Sequence, residues 1–209
     1  VISGEAQSEM LELADKIDAP IGCSMMGLSG LPTDHPRFLG MQGMHGHYAS
    51  SIAMHNADCI IALGVRLNDR VTGNRSKFAL KSKIVHIDID GSELSKTVPL
   101  ACGLRADVKE TLKKLLPIIN KSEKPEWQNQ VEIYKADEVK FTDNRDGMTP
   151  RNVLLTLNNH LKENTPVATD VGQHQMWAAQ TLTFKRNRKF VSSGGLGTMG
   201  FGLGAAIGA

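Results

Sequence analysis

From residue 1 to about 117, short apolar runs alternate with amphipathic segments, and this rhythm constrains the fold more than any other feature. Parallel strands can be neighbours only if a crossover, usually a helix, returns the chain to the same end of the sheet, so the pattern implies a parallel sheet covered by helices. Val1-Ile2 reads as the end of a strand. Ser8 to Ile17 sets Met10, Leu11, Leu13, Ala14 and Ile17 at helical spacing, and Pro20 to Ser24 reads as the next strand. After a loop punctuated by Gly27, Gly30, Pro32 and Pro36, Tyr48 to Asn56 suits a helix and Cys59 to Leu63 a buried strand. Lys83 to Ile89 and Leu100 to Leu104 are further strands, and Asp107 caps a helix running to Leu116. The expected class is α/β, a Rossmann-like parallel sheet with helices on both faces, closing near Pro117.

Residues 118–148 are charged and weakly apolar, with a helix expected from Glu126 to Phe141, and read as an interdomain connection on the surface. Thr149-Pro150 restarts order as N-cap and first helical residue. The helix Pro150 to Leu161, a strand at Val167 to Thr169 and another near Phe190-Val191 then begin a second α/β unit over 149–209, with too few strands to finish a sheet.

Composition excludes several classes. The net charge is only +2 and the basic residues are scattered, which argues against nucleic acid as partner. No stretch reaches the ~18 apolar residues that span a bilayer. Cys23, Cys59 and Cys102 lack the spacing of a zinc site and read as buried thiols in a reducing compartment. The chain opens on Val1-Ile2-Ser3-Gly4 without an initiator Met and stops in a helical run of small residues, so it reads as an internal piece of a longer protein.

Five segments carry chemistry. The polar loop Gly64 to Gly73 follows a strand directly, at the end where open α/β sheets bind ligands. Its Arg66 and Arg70 bracket Asn68-Asp69, so their guanidinium forks suit a diphosphate, although a solvated loop with local ion pairs reads equally well without a complete GxGxxG. His86 to Asp90 ends a strand on an acidic residue, the position that often bonds a ribose, or simply caps a helix. Gly43-Met44-His45-Gly46-His47 offers close backbone approach to a flat ligand or an irregular turn, with too few ligands for a metal. Finally, Asp170 to Trp177 opens a helix after a strand, and Ser193 to Gly208 is a glycine-rich loop whose N–H groups can surround phosphate oxygens. In its second half Gly200, Gly204 and Gly208 share one helical face, which would let another helix approach closely.

The segments GMHGHYASSIAMHNADCIIALGVRLNDRVTG (43–73), IVHIDID (84–90), DVGQHQMWAAQ (170–180) and SSGGLGTMGFGLGAAIGA (192–209) together resemble acetohydroxyacid (acetolactate) synthase large subunits over nearly the whole chain. The resemblance implies an FAD-binding middle domain at 1–117, a linker at 118–148 and the start of a thiamine-diphosphate domain at 149–209. It implies FAD contacts at Ser24, Met25, Gly43, Met44, His45, Gly64, Val65, Arg66, Arg70, Val71, Asp88, Ile89, Asp107 and Val108. It places Val171, Gly172, Gln173 and His174 near the diphosphate of thiamine diphosphate. Gly197 and Met199 then lie under its rings, with Met199 the apolar prop that keeps the cofactor bent.

FAD is implied to be structural, and Mg²⁺ to carry the thiamine diphosphate. The family's catalytic glutamate would precede Val1 and its Mg²⁺ ligands would follow Ala209, so no catalytic or metal-ligating residue is expected within the chain, which is expected to be inactive alone. Asn68 stands where aspartate is common, weakening ion pairing between the arginines, and Gly204 stands where proline is usual, loosening a helix turn. The implied substrates are pyruvate and a second 2-oxo acid, pyruvate or 2-oxobutyrate, in branched-chain amino-acid biosynthesis. The implied assembly is a homodimer or tetramer with a regulatory small subunit, in the bacterial cytoplasm or an organelle. An FAD-free catabolic acetolactate synthase, another thiamine-diphosphate enzyme and a non-catalytic nucleotide-binding module stand as alternatives.

Overall fold

The computed structural model describes residues 1–185 and 189–209. In chain order its elements are α1 (Gln7–Ile17), β1 (Ile21–Cys23), β2 (Phe38–Met41), α2 (Tyr48–Asn56), β3 (Cys59–Leu63), α3 (Asp69–Thr72), β4 (Lys83–Asp88) and β5 (Cys102–Arg105). They continue with α4 (Val108–Leu115), α5 (Pro125–Asp137), α6 (Pro150–His160), β6 (Val167–Thr169), α7 (Gln173–Thr181), β7 (Phe190–Ser192) and α8 (Phe201–Gly208). Among the described residues all the strand pairs are parallel, as the βα rhythm requires, in the orders β1-β2, β3-β4-β5 and β6-β7. None of the helices among the described residues is long and apolar enough to cross a membrane.

The first 117 residues therefore hold two parallel sheets where one is expected. Val1-Ile2 forms a turn instead of a strand end: Glu5 N donates to Ile2 O at 3.0 Å and Ala6 N to Val1 O at 3.0 Å, which feeds the chain straight into α1. Strand β2 goes unread in the sequence because Gly40 interrupts its apolar run. Gly40 has φ +93°, and a Cβ there would lie 2.4 Å from the His47 ring, so this strand needs a glycine where patterning favours a side chain.

Apolar stripes decide what packs where. Leu13 of α1, Ile87 of β4 and Leu112 of α4 are buried together with Ala6 and Val108, and Asp107 caps α4 by accepting a hydrogen bond from Glu110 N at 2.9 Å. On the other face of β4, Ile84 packs with Leu67, Ala79 and Val98. A third cluster joins distant parts of the chain, Leu28 and Met41 meeting Ala178, Ala179, Leu182, Phe184 and Phe190.

The segment 118–148 is more than a surface connection. Its helix α5 buries Val131 against Leu39 and Ala53, and the Glu138 carboxylate accepts from Ala49 N at 2.7 Å and Tyr48 N at 3.2 Å, capping α2. Charged composition hides this, because one apolar stripe is enough to dock a helix. Of the three cysteines Cys23 is half-buried, and burial pushes its thiol up to about 12. Cys59 and Cys102 are exposed, the first opening β3 and the second on β5, an edge strand exposed along its whole length.

Asp18 ends α1 in the left-handed region and ties it to the start of α5. Its carboxylate accepts from Lys124 N at 2.8 Å, Arg37 Nη1 at 2.9 Å and Gln128 Nε2 at 3.1 Å. The Lys124 amide first, and then Arg37, hold this carboxyl below the usual carboxylate range. A depressed folded value means that the tie contributes fully above the unfolded pKa near ~4 and is lost as pH falls through the lower folded value. Asp18→Asn keeps a residue that tolerates the left-handed conformation. Denaturant titrations at pH 6 and pH 3 should show the wild type losing more stability between the two than the variant; equal losses would contradict this role.

Candidate functional site

Because β3, β4 and β5 run parallel, their C-terminal ends gather Gly64, then Asp88 and Ile89, then Asp107 and Val108 along one edge. Gly64 has φ +56°, and a Cβ on it would lie 3.4 Å from Val1 N and 3.8 Å from Val108 Cγ2, in ordinary contact with both. Leu67 is the buried anchor of the loop after β3, and it leaves Arg66 and Arg70 exposed. Arg66 Nε lies 3.8 Å from Glu93 Oε1, a loose ion pair that an anion can displace. Asn68 turns out to be a cap: its side chain accepts from Val71 N at 3.3 Å and starts α3.

The Gly43–His47 loop sits directly on this segment. Met44 N donates to Arg70 O at 2.8 Å, and a Cβ on Gly43, whose φ is +104°, would come within 2.4 Å of the same carbonyl. Met44 and His45 are exposed. A groove of about 290 Å³ opens beside the junction, lined by Gly43, Met44, Val71, Lys77 and the α2 residues Met54 and His55. His47 serves structure: Nδ1 accepts from Met41 N at 2.9 Å, Nε2 lies 3.1 Å from Gln180 O, and Gln180 Nε2 donates to His45 O at 2.7 Å. The loop is thus clamped to α7.

A second group of residues lies where β6 ends. Gln173 and His174 are exposed at the start of α7, and Gly197 reaches Val171, whose Cγ1 would be 3.9 Å from a Cβ on Gly197. The two groups meet at Gly194, where a Cβ would lie 2.8 Å from Met26 Sδ and 3.2 Å from Met25 Sδ. Met25 and Met26 therefore border the glycine-rich loop, and Ser24 precedes them in the chain.

Residues 1–115, more than half of the chain, match the profile of the thiamine pyrophosphate enzyme central domain. The chain belongs to the thiamine pyrophosphate enzyme family. Residues 170–209 match the C-terminal TPP binding domain of the same enzymes. Among curated relatives, the acetolactate synthase large subunit of Buchnera aphidicola subsp. Schlechtendalia chinensis is 39% identical, covering 100% of this chain and 38% of its own length. The acetolactate synthase isozyme 3 large subunit of Escherichia coli K12 is 38% identical over 99% of this chain and 38% of its own. A probable acetolactate synthase large subunit of Methanocaldococcus jannaschii is 41% identical over 100% of this chain and 37% of its own. The chain thus spans less than two fifths of the length of these relatives.

In this thiamine pyrophosphate enzyme chain the glycine-rich loop is arranged differently from the open phosphate cradle expected of it. Gly197 N donates to Ser193 O at 2.8 Å, Thr198 N to Ser193 Oγ at 3.0 Å, and Gly200 N and Gly202 N to the Asp170 carboxylate at 3.0 and 3.1 Å. Sequence alone does not pair Asp170 with Gly200, because 30 residues separate them. Nor do Gly200, Gly204 and Gly208 form a close-packed face among the described residues, since a Cβ on any of them would meet nothing within 4 Å; the tight glycine is Gly202, where a Cβ would lie 2.7 Å from Asp170 N. Gly204→Ala should accordingly stabilise the chain by ~0.5–1 kcal/mol, the ordinary helix preference for alanine. A thermal melt checks it, and a lower melting temperature would contradict the open environment.

The residues suit the family's cofactors to different degrees. Gly43 seats its loop closely on the Arg70 carbonyl, and the loop that begins at Gly64 leaves Arg66 and Arg70 exposed, which fits a diphosphate. Asp88 is nearly buried, its Oδ1 accepting from Asp90 N at 2.9 Å and its Oδ2 lying 3.6 Å from the ring of His86, whose two nitrogens are fully buried without a hydrogen-bond partner. Ile89 beside it is exposed and Asp107 is engaged as the α4 cap. Around Gly197 and Met199 the surface is open and apolar, with Leu196 and Met199 93% and 83% exposed, which fits flat rings better than a phosphate. Among the described residues no three His, Cys, Asp or Glu side chains gather as a metal site.

Proposed function

We propose that this chain supplies the FAD-binding part and the beginning of the thiamine-diphosphate-binding part of an acetolactate synthase large subunit, with the division at 1–117, 118–148 and 149–209. The carrying observation is the seating of the Gly43–His45 loop on the Arg70 carbonyl, at the ligand-binding ends of β3 to β5. The matches over 1–115 and 170–209, and the synthase relatives along the entire chain, support the same reading.

In this reading Arg66 and Arg70 hold the FAD diphosphate, with Gly64 and Val65 giving it backbone access. Asp88, Ile89, Asp107 and Val108 border the adenosine end, while Ser24, Met25, Gly43, Met44, His45 and Val71 border the rest of the flavin nucleotide. FAD keeps these segments in register and does no net redox work. Val171 to His174 receive the diphosphate end of thiamine diphosphate, whose Mg²⁺ would be held by residues outside this set. Gly197 lets the backbone pass close under the rings and Met199 supports their bend. Bound in that shape, thiamine diphosphate supplies an internally activated carbon nucleophile.

The overall reaction releases CO₂ from pyruvate and joins the remaining two-carbon unit to the carbonyl carbon of a second pyruvate or of 2-oxobutyrate. The protein acts in the bacterial cytoplasm as a homodimer or tetramer, with a regulatory small subunit. A full-length protein carrying this chain should form acetolactate from pyruvate only when thiamine diphosphate and Mg²⁺ are both present. A folded protein that consumes no pyruvate under those conditions would sink the proposal.

A further inference from the structure

The Asp170 side chain does more than close a helix end. It is the first residue after β6, and its Oδ1 accepts from Val171 N at 2.7 Å and Gly200 N at 3.0 Å, while Oδ2 accepts from Gly200 N at 3.0 Å and Gly202 N at 3.1 Å. One carboxylate thus bonds three backbone amides on two segments, supplying at the positive end of α8 the negative charge that a bound anion would otherwise bring. These charge-assisted bonds hold its carboxyl below the usual carboxylate range, the Val171 amide first and then those of Gly202 and Gly200.

Met199 needs such an anchor. It is 83% exposed, so no core holds its side chain, and it lies between Gly197 at φ +66° and Gly200 at φ +86°, two residues with little backbone stiffness of their own. The anchored amides begin at the very next residue. At the other end of the same carboxylate, Val171 begins the turn that runs to the exposed Gln173 and His174.

We propose that Asp170 is a positioning residue, which locks Met199 against the Val171–His174 turn so that the two segments meet one cofactor molecule in a fixed relation. This rests on the assignment of thiamine diphosphate to these segments. It also limits how that cofactor sits: the amides of Gly200 and Gly202 are already bonded, so α8 is not its diphosphate site, and the open surface at Met199 is left for its rings.

The test uses Asp170→Asn, Asp170→Glu and Met199→Ala in a full-length protein carrying this chain. In cofactor-free protein, hydrogen exchange of the peptide covering Met199 to Leu203 should quicken about tenfold or more in Asp170→Asn, which loses the charge and one acceptor oxygen. Protection in β4 and α4 should stay at wild-type level and certify the fold. Asp170→Glu, which retains both oxygens, should recover part of the protection, and Met199→Ala should leave exchange unchanged.

With thiamine diphosphate, titration calorimetry should show the Kd of Asp170→Asn within about threefold of wild type while kcat drops about tenfold, the signature of lost orientation rather than lost binding. Adding Met199→Ala should lower kcat little further, since both changes remove the same support. Unchanged exchange in Asp170→Asn overturns the tie itself, and so does quickened exchange that spreads to β4 and α4. Quickened local exchange with wild-type kcat overturns the positioning role. Wild-type protein that binds no thiamine diphosphate overturns the cofactor assignment, and the exchange data show separately whether the tie exists.

Discussion

Phe184→Ala is expected to destabilise the protein by about 3–5 kcal/mol, the cost of emptying a large, fully enclosed aromatic site. Phe184 is 0% exposed, and its ring meets that of Phe190 edge-on with centroids 5.4 Å apart. Around it Leu28 and Met41 come from the first 41 residues and Ala178, Ala179 and Leu182 from α7 and its end. The cluster is therefore what docks the first part of the chain on the second. Backbone bonds accompany it, Phe184 N donating to Thr33 Oγ1 at 3.0 Å and Thr33 N to Phe184 O at 2.9 Å. Denaturant melts of wild type and variant measure the difference, and a cost below about 1 kcal/mol would mean that this junction is loose.

Gly43→Ala should cost about 2–5 kcal/mol, from strain at φ +104° added to a Cβ placed 2.4 Å from the Arg70 carbonyl. That carbonyl belongs to the backbone of a capped turn and has no rotamer by which to move aside. The loop must lift, which breaks the bond from Met44 N to Arg70 O. The second consequence concerns function: if this junction is a flavin site, FAD retained through purification should fall together with thermal stability. A variant that melts like the wild type contradicts the geometry. One that melts early yet retains its full flavin contradicts the role given to the loop.

Local chemistry made much of this fold legible in the sequence. The bounds of α2, β3 and β6 follow directly from apolar periodicity and flanking turn residues, and the caps at Asp107 and Thr149 from residue type and position. What escapes is set by contacts between distant residues. Gly40 conceals β2 because its lack of a side chain answers to His47, and the docking of α5 depends on a pocket offered by Leu39 and Ala53. Two sheets stand over the first 117 residues where one is expected, and Val1-Ile2, read as the end of a strand, folds into a turn.

The site divides along the same line. Arg66, Arg70 and the glycines could be singled out because strand ends and residue chemistry mark them, and the resemblance to a known family gave them tasks. Asp170, Glu93 and Gln180 could not, since each acts on a partner known only once the chain is folded: Gly200, Arg66 and His45 respectively. Asn68 shows the opposite error, a polar residue read for its charge relations that instead caps a short helix.

The most direct test of the account is the flavin requirement of acetolactate formation. A full-length protein carrying this chain would be stripped of FAD and assayed with pyruvate, thiamine diphosphate and Mg²⁺, before and after FAD is restored. The account predicts that activity disappears with the flavin and returns with it, and that Arg70→Ala needs more FAD for the same recovery. Activity that is indifferent to FAD would contradict it, because the strand ends, the arginine loop and the Gly43 junction would then have been assigned to a ligand the enzyme does not use.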